Sequence, residues 1–177
     1  MANRTTMLRA LGIGLAAGLR SMTAPAVISW AASNRQINVG RSPLALLGSD
    51  RASRITAKLA LGEIVADKTP AIPSRLKPAS LSWRLISGGV CGAAISVSAY
   101  EDPGSGAALG ATGALIGSLL GYVVRTRAGK QLHVPDFPLA LLEDAVAIGT
   151  AFAAVTLTER TSVPDAWADE DNPAWLP

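Results

Sequence analysis

The strongest constraint on this chain is a series of apolar, glycine-threaded stretches too long and too sparsely charged for the core of a small soluble domain. Residues 7–32, 83–99, 107–124 and 137–158 approach or exceed the roughly 20 helical residues that cross a hydrocarbon layer about 30 Å thick. A further stretch, residues 55–66, the second of the five in chain order, is shorter and more charged. Prolines 70, 73 and 78 stop it, because proline cannot continue a helix. In the fourth, Gly106, Gly110, Gly113, Gly117 and Gly121 recur every three or four residues, so one helical face is nearly bare backbone. Gly14 and Gly18 form a GxxxG face in the first. Such faces let helices approach closely in lipid. They are packing seams, since a phosphate-binding glycine loop sits between a strand and a helix and no strand is predicted.

Composition points the same way. The chain is 49% hydrophobic and 16% charged, against about 25% charged in an ordinary soluble domain, and its mean hydropathy is +0.32. The expected fold is all-α: a polytopic helical membrane protein with about five membrane-embedded helices in residues 1–158, followed by an acidic tail at 159–177. Trp167 and Trp175 in that tail suit a membrane surface, and Trp83 and Tyr100 bracket the third helix as interface aromatics do. Arg4 and Arg9 lead the first stretch as in a signal peptide, but the apolar pattern continues past Arg20 to Ala32. It is therefore taken as one retained helix, kinked near Pro25.

Several functions are excluded by what the chain holds. The net charge of +3 is scattered between apolar runs, with no basic stripe carrying aromatics, which argues against nucleic acid as partner. Cys91 and His133 are single, so there is no intramolecular disulfide and no thiolate cage. Cys91, amid glycines, is expected to be a small packing residue. No metal site, cofactor motif or catalytic triad is expected, and the chain is read as a non-enzyme.

The informative residues are the charges inside apolar stretches. In LALGEIVADKTP (59–70), Glu63 and Asp67 are four apart and share one helical face, with Lys68 following. Glu143 and Asp144 interrupt the fifth stretch, and Arg20 the first. Ionisable groups in hydrocarbon are costly, tend to face a bundle interior, and mark function by default. The expectation is a shared polar centre of Glu63, Asp67, Glu143 and Asp144, with Arg20 and Lys68 as counter-charges and Arg20 paired with Glu63. Low-dielectric carboxylates of this kind exchange protons or bind cations. This points to an ion- or proton-coupled transporter or channel, embedded in the lipid bilayer as a homodimer and acting on a small ion or molecule. The alternative is a non-catalytic scaffold or assembly module that oligomerises through the glycine-rich faces Gly14, Gly18, Gly110, Gly113, Gly117 and Gly121, with the charges as static glue.

Short words repeat. LALGE (59–63) returns as LALLE (139–143), and GLAAG (14–18) resembles GALIG (113–117). Two halves, 7–70 and 106–158, joined by a connector helix at 83–99, would form an inverted repeat, a plan that places sites at the repeat interface. With five spans, the N-terminus and the second and fourth connections, rich in Lys and Arg, share one side opposite the acidic EDPGSG turn. The positive-inside rule then makes the N-terminus cytoplasmic in the inner (plasma) membrane. Arginines 35, 41, 51 and 54 of the first connection count against this, and four spans with a re-entrant second helix is the competing topology.

GLRSMTAP (18–25), LALGEIVADKTP (59–70) and PLALLEDAVAIG (138–149) resemble, in order and spacing, a family of small bacterial integral membrane proteins catalogued as domain of unknown function 4126. The resemblance covers most of residues 11–155. It implies a polytopic membrane protein and names no reaction.

Overall fold

The computed structural model describes residues 3–40, 42–66, 78–131 and 136–157. These form α1 (Arg4–Leu19), α2 (Thr23–Ser33), a short 3-10 helix (Pro43–Gly48), α3 (Asp50–Ala66), α4 (Pro78–Ser98), α5 (Pro103–Gln131) and α6 (Asp136–Thr156), with no strand among them. The all-helical expectation holds, but the first apolar stretch is two helices and not one. The break falls at Arg20–Met22, ahead of Pro25, which is the third residue of α2. There, in the first turn, its missing N–H has no intrahelical acceptor to lose.

The chain reverses at this break. α1 runs antiparallel to α6: Arg9 Nε donates to the Ala154 carbonyl at 2.7 Å, Gly12 faces Thr150, and Arg20 reaches Asp144. Trp30, near the far end of α2, stacks edge-on against Phe152 with ring centroids 5.2 Å apart. Asp144 and Phe152 are separated by about 12 Å of helix, so α2 must run back along α6 to make that contact. Gly48 then meets Ala32, and α3 returns along α2 until Glu63 reaches Ser21 and Met22 at the break.

The core is the triple packing of α1, α4 and α5, and glycines set its spacing. A Cβ at Gly14 would strike the Gly110 carbonyl, one at Gly18 the Ala114 carbonyl, and those at Gly113 and Gly117 the carbonyls of Leu11 and Leu15. On the other flank of α5, Gly92 faces Gly106 and Gly88 faces Gly110. Backbone therefore lies on backbone along both interfaces, and only Ala, Cys91, Ile13 and Ile95 are needed to fill the gaps. Gly121, the last of the expected seam, is buried beside a cavity.

Two further expectations are corrected. Leu11 meets Gly113 and Leu15 meets Gly117, so α1 and α5 run in the same direction; an inverted repeat would oppose them. The Asn3 amide donates to Glu101 Oε1 at 2.7 Å, which puts the start of α1 beside the acidic α4–α5 turn, not with the second and fourth connections. Arg35, Arg51 and Arg54, at the return from α2 into α3, share that end. Among the described residues, basic side chains and the acidic turn thus stand at one end together.

Two helices, over Pro103–Arg127 and Pro138–Thr156, are long and apolar enough to cross a membrane, with window hydropathies of 1.7 and 1.6. Only 33% of each window is buried, whereas the core helix of a soluble protein is mostly buried. Asp102 caps α5, accepting from the Ser105 amide at 2.7 Å. The Ser105 and Gly104 amides hold its carboxyl below the usual carboxylate range. α2 and α4 both end with a non-glycine residue at positive φ, Arg35 (58°) and Tyr100 (57°). Paired returns to Ala31 and Ala32, and to Ser96 and Val97, satisfy their last carbonyls.

Gly92→Ala and Gly110→Ala should each force α4 off α5, at a cost of about 1–3 kcal/mol or more. Gly62 and Gly149, with nothing within 4 Å of an added Cβ, should tolerate alanine and gain up to about 1 kcal/mol of helix propensity. Thermal unfolding of the four variants in one detergent checks the contrast.

Candidate functional site: a charged cluster at a broken helix

A helix that stops inside a bundle exposes carbonyls at one end and amides at the other, and each must find a partner. Arg20, in extended conformation (φ −137°, ψ 111°), ends α1. Arg84 of α4 reaches in from the side: its Nη1 donates to the carbonyls of Gly18 at 2.5 Å and Leu19 at 2.9 Å. Ser118 Oγ of α5 adds a bond to Gly18 O at 3.2 Å. Across the break, Glu63 of α3 accepts from the Ser21 amide (2.9 Å), the Ser21 hydroxyl (2.8 Å) and the Met22 amide (2.8 Å). Ser87 Oγ donates to Ser21 O at 2.7 Å. A cation sits at a helix C-terminus and an anion at a helix N-terminus, the pairing each helix dipole favours.

Ion pairs tie the cluster together. Arg84 Nη2 lies 3.8 Å from Glu63 Oε1, and Arg20 Nε lies 2.5 Å from Asp144 Oδ1. Two guanidiniums and two carboxylates therefore surround one three-residue turn. Arg20 is 1% exposed, Asp144 6% and Arg84 7%, while the Glu63 side chain, at 18%, is the member nearest solvent.

The expected convergence of acidic groups from the 55–66 and 137–158 stretches is therefore real for Glu63 and Asp144. The expected Arg20–Glu63 pair is not. The extended backbone at Arg20 sends its side chain to α6, while the following amides face α3, so each carboxylate takes a different part of the turn. Glu143 is also elsewhere: adjacent helical residues point about 100° apart, and Glu143 turns to α5, where Arg125 Nε donates to Oε2 at 3.1 Å. Asp67 and Lys68 lie outside the described residues, as does His133.

The cluster sits in packed protein. The cavity of about 280 Å³ lies to its side, between α5 and α6 over Leu15 and Leu19, with Val124, Leu142 and Val146 on its walls. Glu143 and Arg125 border it, but its lining is otherwise apolar. Arg20, Arg84 and Asp144 are thus occluded. On α2, Thr23 Oγ1 and Ser29 Oγ are buried with no hydrogen-bond partner among the described residues.

Arg84, Ser87 and Ser118 were not singled out from sequence. Arg84 follows Trp83 at the start of an apolar stretch, and Ser87 lies three residues on, on the same face. That Arg-x-x-Ser face on an otherwise apolar helix was the available signal.

A family model described as Domain of unknown function (DUF4126) matches residues 7–160. No curated protein and no solved structure matches the chain.

Removing one partner of a buried ion pair strands the other, at about 3–5 kcal/mol, whereas replacing both with apolar groups is often near neutral. Arg20→Met and Asp144→Leu should therefore each destabilise strongly, and combining them should recover most of the loss. Chemical unfolding of the two single variants and the double variant measures the coupling.

Proposed function

The chain belongs to the family of domain of unknown function 4126, and from its geometry we propose that it is a multi-pass membrane protein acting as a small proton- or ion-coupled carrier centred on the Arg20–Met22 turn. The observation that carries this reading is the buried helix break capped at both ends by charges from other helices. Discontinuous helices of this kind bring terminal amides and carbonyls to the middle of a membrane bundle, where they hold charged groups. The membrane part is supported by the outward apolar surface of the helices. Leu59, Leu61 and Val65 on α3, Trp83 and Ile86 on α4, Leu119 and Leu120 on α5, and Leu141 and Leu142 on α6 are all exposed, far more apolar surface than a soluble monomer leaves open. Lipid is the natural partner for it.

The chemistry follows from what Glu63 holds. It accepts from the Ser21 and Met22 amides and lies 3.8 Å from Arg84 Nη2, so neutralising it would weaken both ties. α3 packs chiefly on α2 and the 3-10 helix, away from the α1–α4–α5 core, so Glu63 is its main tie to the break. Protonation thus loosens one arm of the bundle and leaves the glycine-locked core in place. The unpartnered hydroxyls of Thr23 and Ser29 are the groups along α2 that would receive an entering ion or polar substrate. Gly14, Gly18, Gly110, Gly113 and Gly117 lie in contacts within the chain, which supports this reading over a scaffold that oligomerises through them.

Purified protein in liposomes should show flux driven by a proton or cation gradient. Glu63→Gln should remove that flux with little change in thermal midpoint, because the glutamine carbonyl still accepts from one of the amides. Absence of flux under proton, sodium and potassium gradients, with the protein folded in the vesicles, would overturn the carrier reading.

A further inference from the structure

We propose that the outward face of α3 binds an anionic phospholipid, with the phosphate on Arg51, Arg54 and Lys58 and an acyl chain along Leu61 and Val65. This rests on the membrane part of the reading above and is independent of transport. The five residues follow one another along α3 in steps of three, four, three and four. At about 100° per residue they fall within about 80° of arc on one side of the helix. All five are exposed, Leu61 at 63% and Val65 at 67%. Glu63 is on the other side, turned to the Ser21 and Met22 amides, so its grip on the break fixes which way this face looks.

The face changes character once along its length, cationic in the first half and aliphatic in the second. None of the three cationic side chains makes an ion pair or hydrogen bond among the described residues. Asp50 is the one acidic residue in the first turn of α3, so three cations against one carboxylate leave that end positive. Depth fits as well. Arg51 lies about 18 Å of helix before Glu63, and Pro103 about 22 Å of helix before Ser118, and Glu63 and Ser118 both bond to the chain at the break. The arginines therefore stand within about one turn of the end of the apolar span of α5, where headgroups lie, and Lys58 reaches them along its aliphatic stem. A ligand that satisfies both halves must carry an anion at one end and hydrocarbon at the other. A second copy meeting this face with its own, about an axis along the bilayer normal, would set cation against cation.

The test uses the full chain purified in a mild detergent, incubated with palmitoyl-oleoyl phosphatidylglycerol or phosphatidylcholine and examined by native mass spectrometry. The wild type should retain phosphatidylglycerol in preference to phosphatidylcholine. Arg51→Gln, Arg54→Gln and Lys58→Gln should each weaken that preference about fivefold, and the triple variant should lose it. Lys58→Arg should keep it, as should Arg127→Gln, which removes an exposed arginine from α5. Neither inorganic phosphate nor glycerophosphoglycerol, the headgroup without its chains, should displace the lipid. An unchanged preference in the triple variant would overturn the site, as would equal loss in Arg127→Gln or displacement by either chain-free anion. Conversion of a dimer to a monomer in the triple variant, with lipid binding unchanged, would make a second copy the occupant. A wild type that stays soluble without detergent overturns the membrane reading and this site with it, whereas the other failures leave that reading standing.

Discussion

The structure depends on how a helix can stop in the middle of a bundle. Backbone groups buried away from water cost several kcal/mol each when unmet, and the Arg20–Met22 turn presents carbonyls and amides together. Arg84 satisfies the first set and Glu63 the second, from two different helices. Each cap is charged and opposite in sign to the local dipole, the arrangement that the two helix ends favour. The turn, in effect, dictates where α3 and α4 lie.

The glycine seams do complementary work. Close backbone contact of α1 with α5, and of α5 with α4, brings the two flanks of the break within reach of side chains as short as serine: Ser118 and Ser87 both bond to backbone there. A wider spacing would leave those carbonyls to longer, more mobile side chains. Tight packing on one side of the molecule and loose packing between α5 and α6 on the other share a cause: α5 has its small residues on the faces toward α1 and α4, and Leu120 and Val124 on the face toward α6.

Much of this was legible in the primary structure and some was not. The glycine period identified the seam because small residues at helical spacing have few other uses in an apolar run. Glu63 and Asp144 stood out because charge amid leucine and alanine is costly unless partnered. The break did not, since Arg20, Ser21 and Met22 have ordinary helix propensities and nothing local forbids continuation. Pro25 carried the signal, but a proline in a first helical turn marks a beginning as readily as a bend, and the choice between them is made by residues 42 and 66 positions away. The same distance dependence explains why Arg20 was matched with the wrong carboxylate. Parallel α1 and α5 likewise follow from the reversal at the break, which changes the parity of every later segment.

The separation of the cluster in sequence bears on how the protein is made. In order of synthesis α1 precedes α6, and the two are joined by the Arg9–Ala154 and Arg20–Asp144 contacts. Those contacts cannot form until α6 has been made, so closure of the bundle is a late step that brings its earliest described helix against its latest.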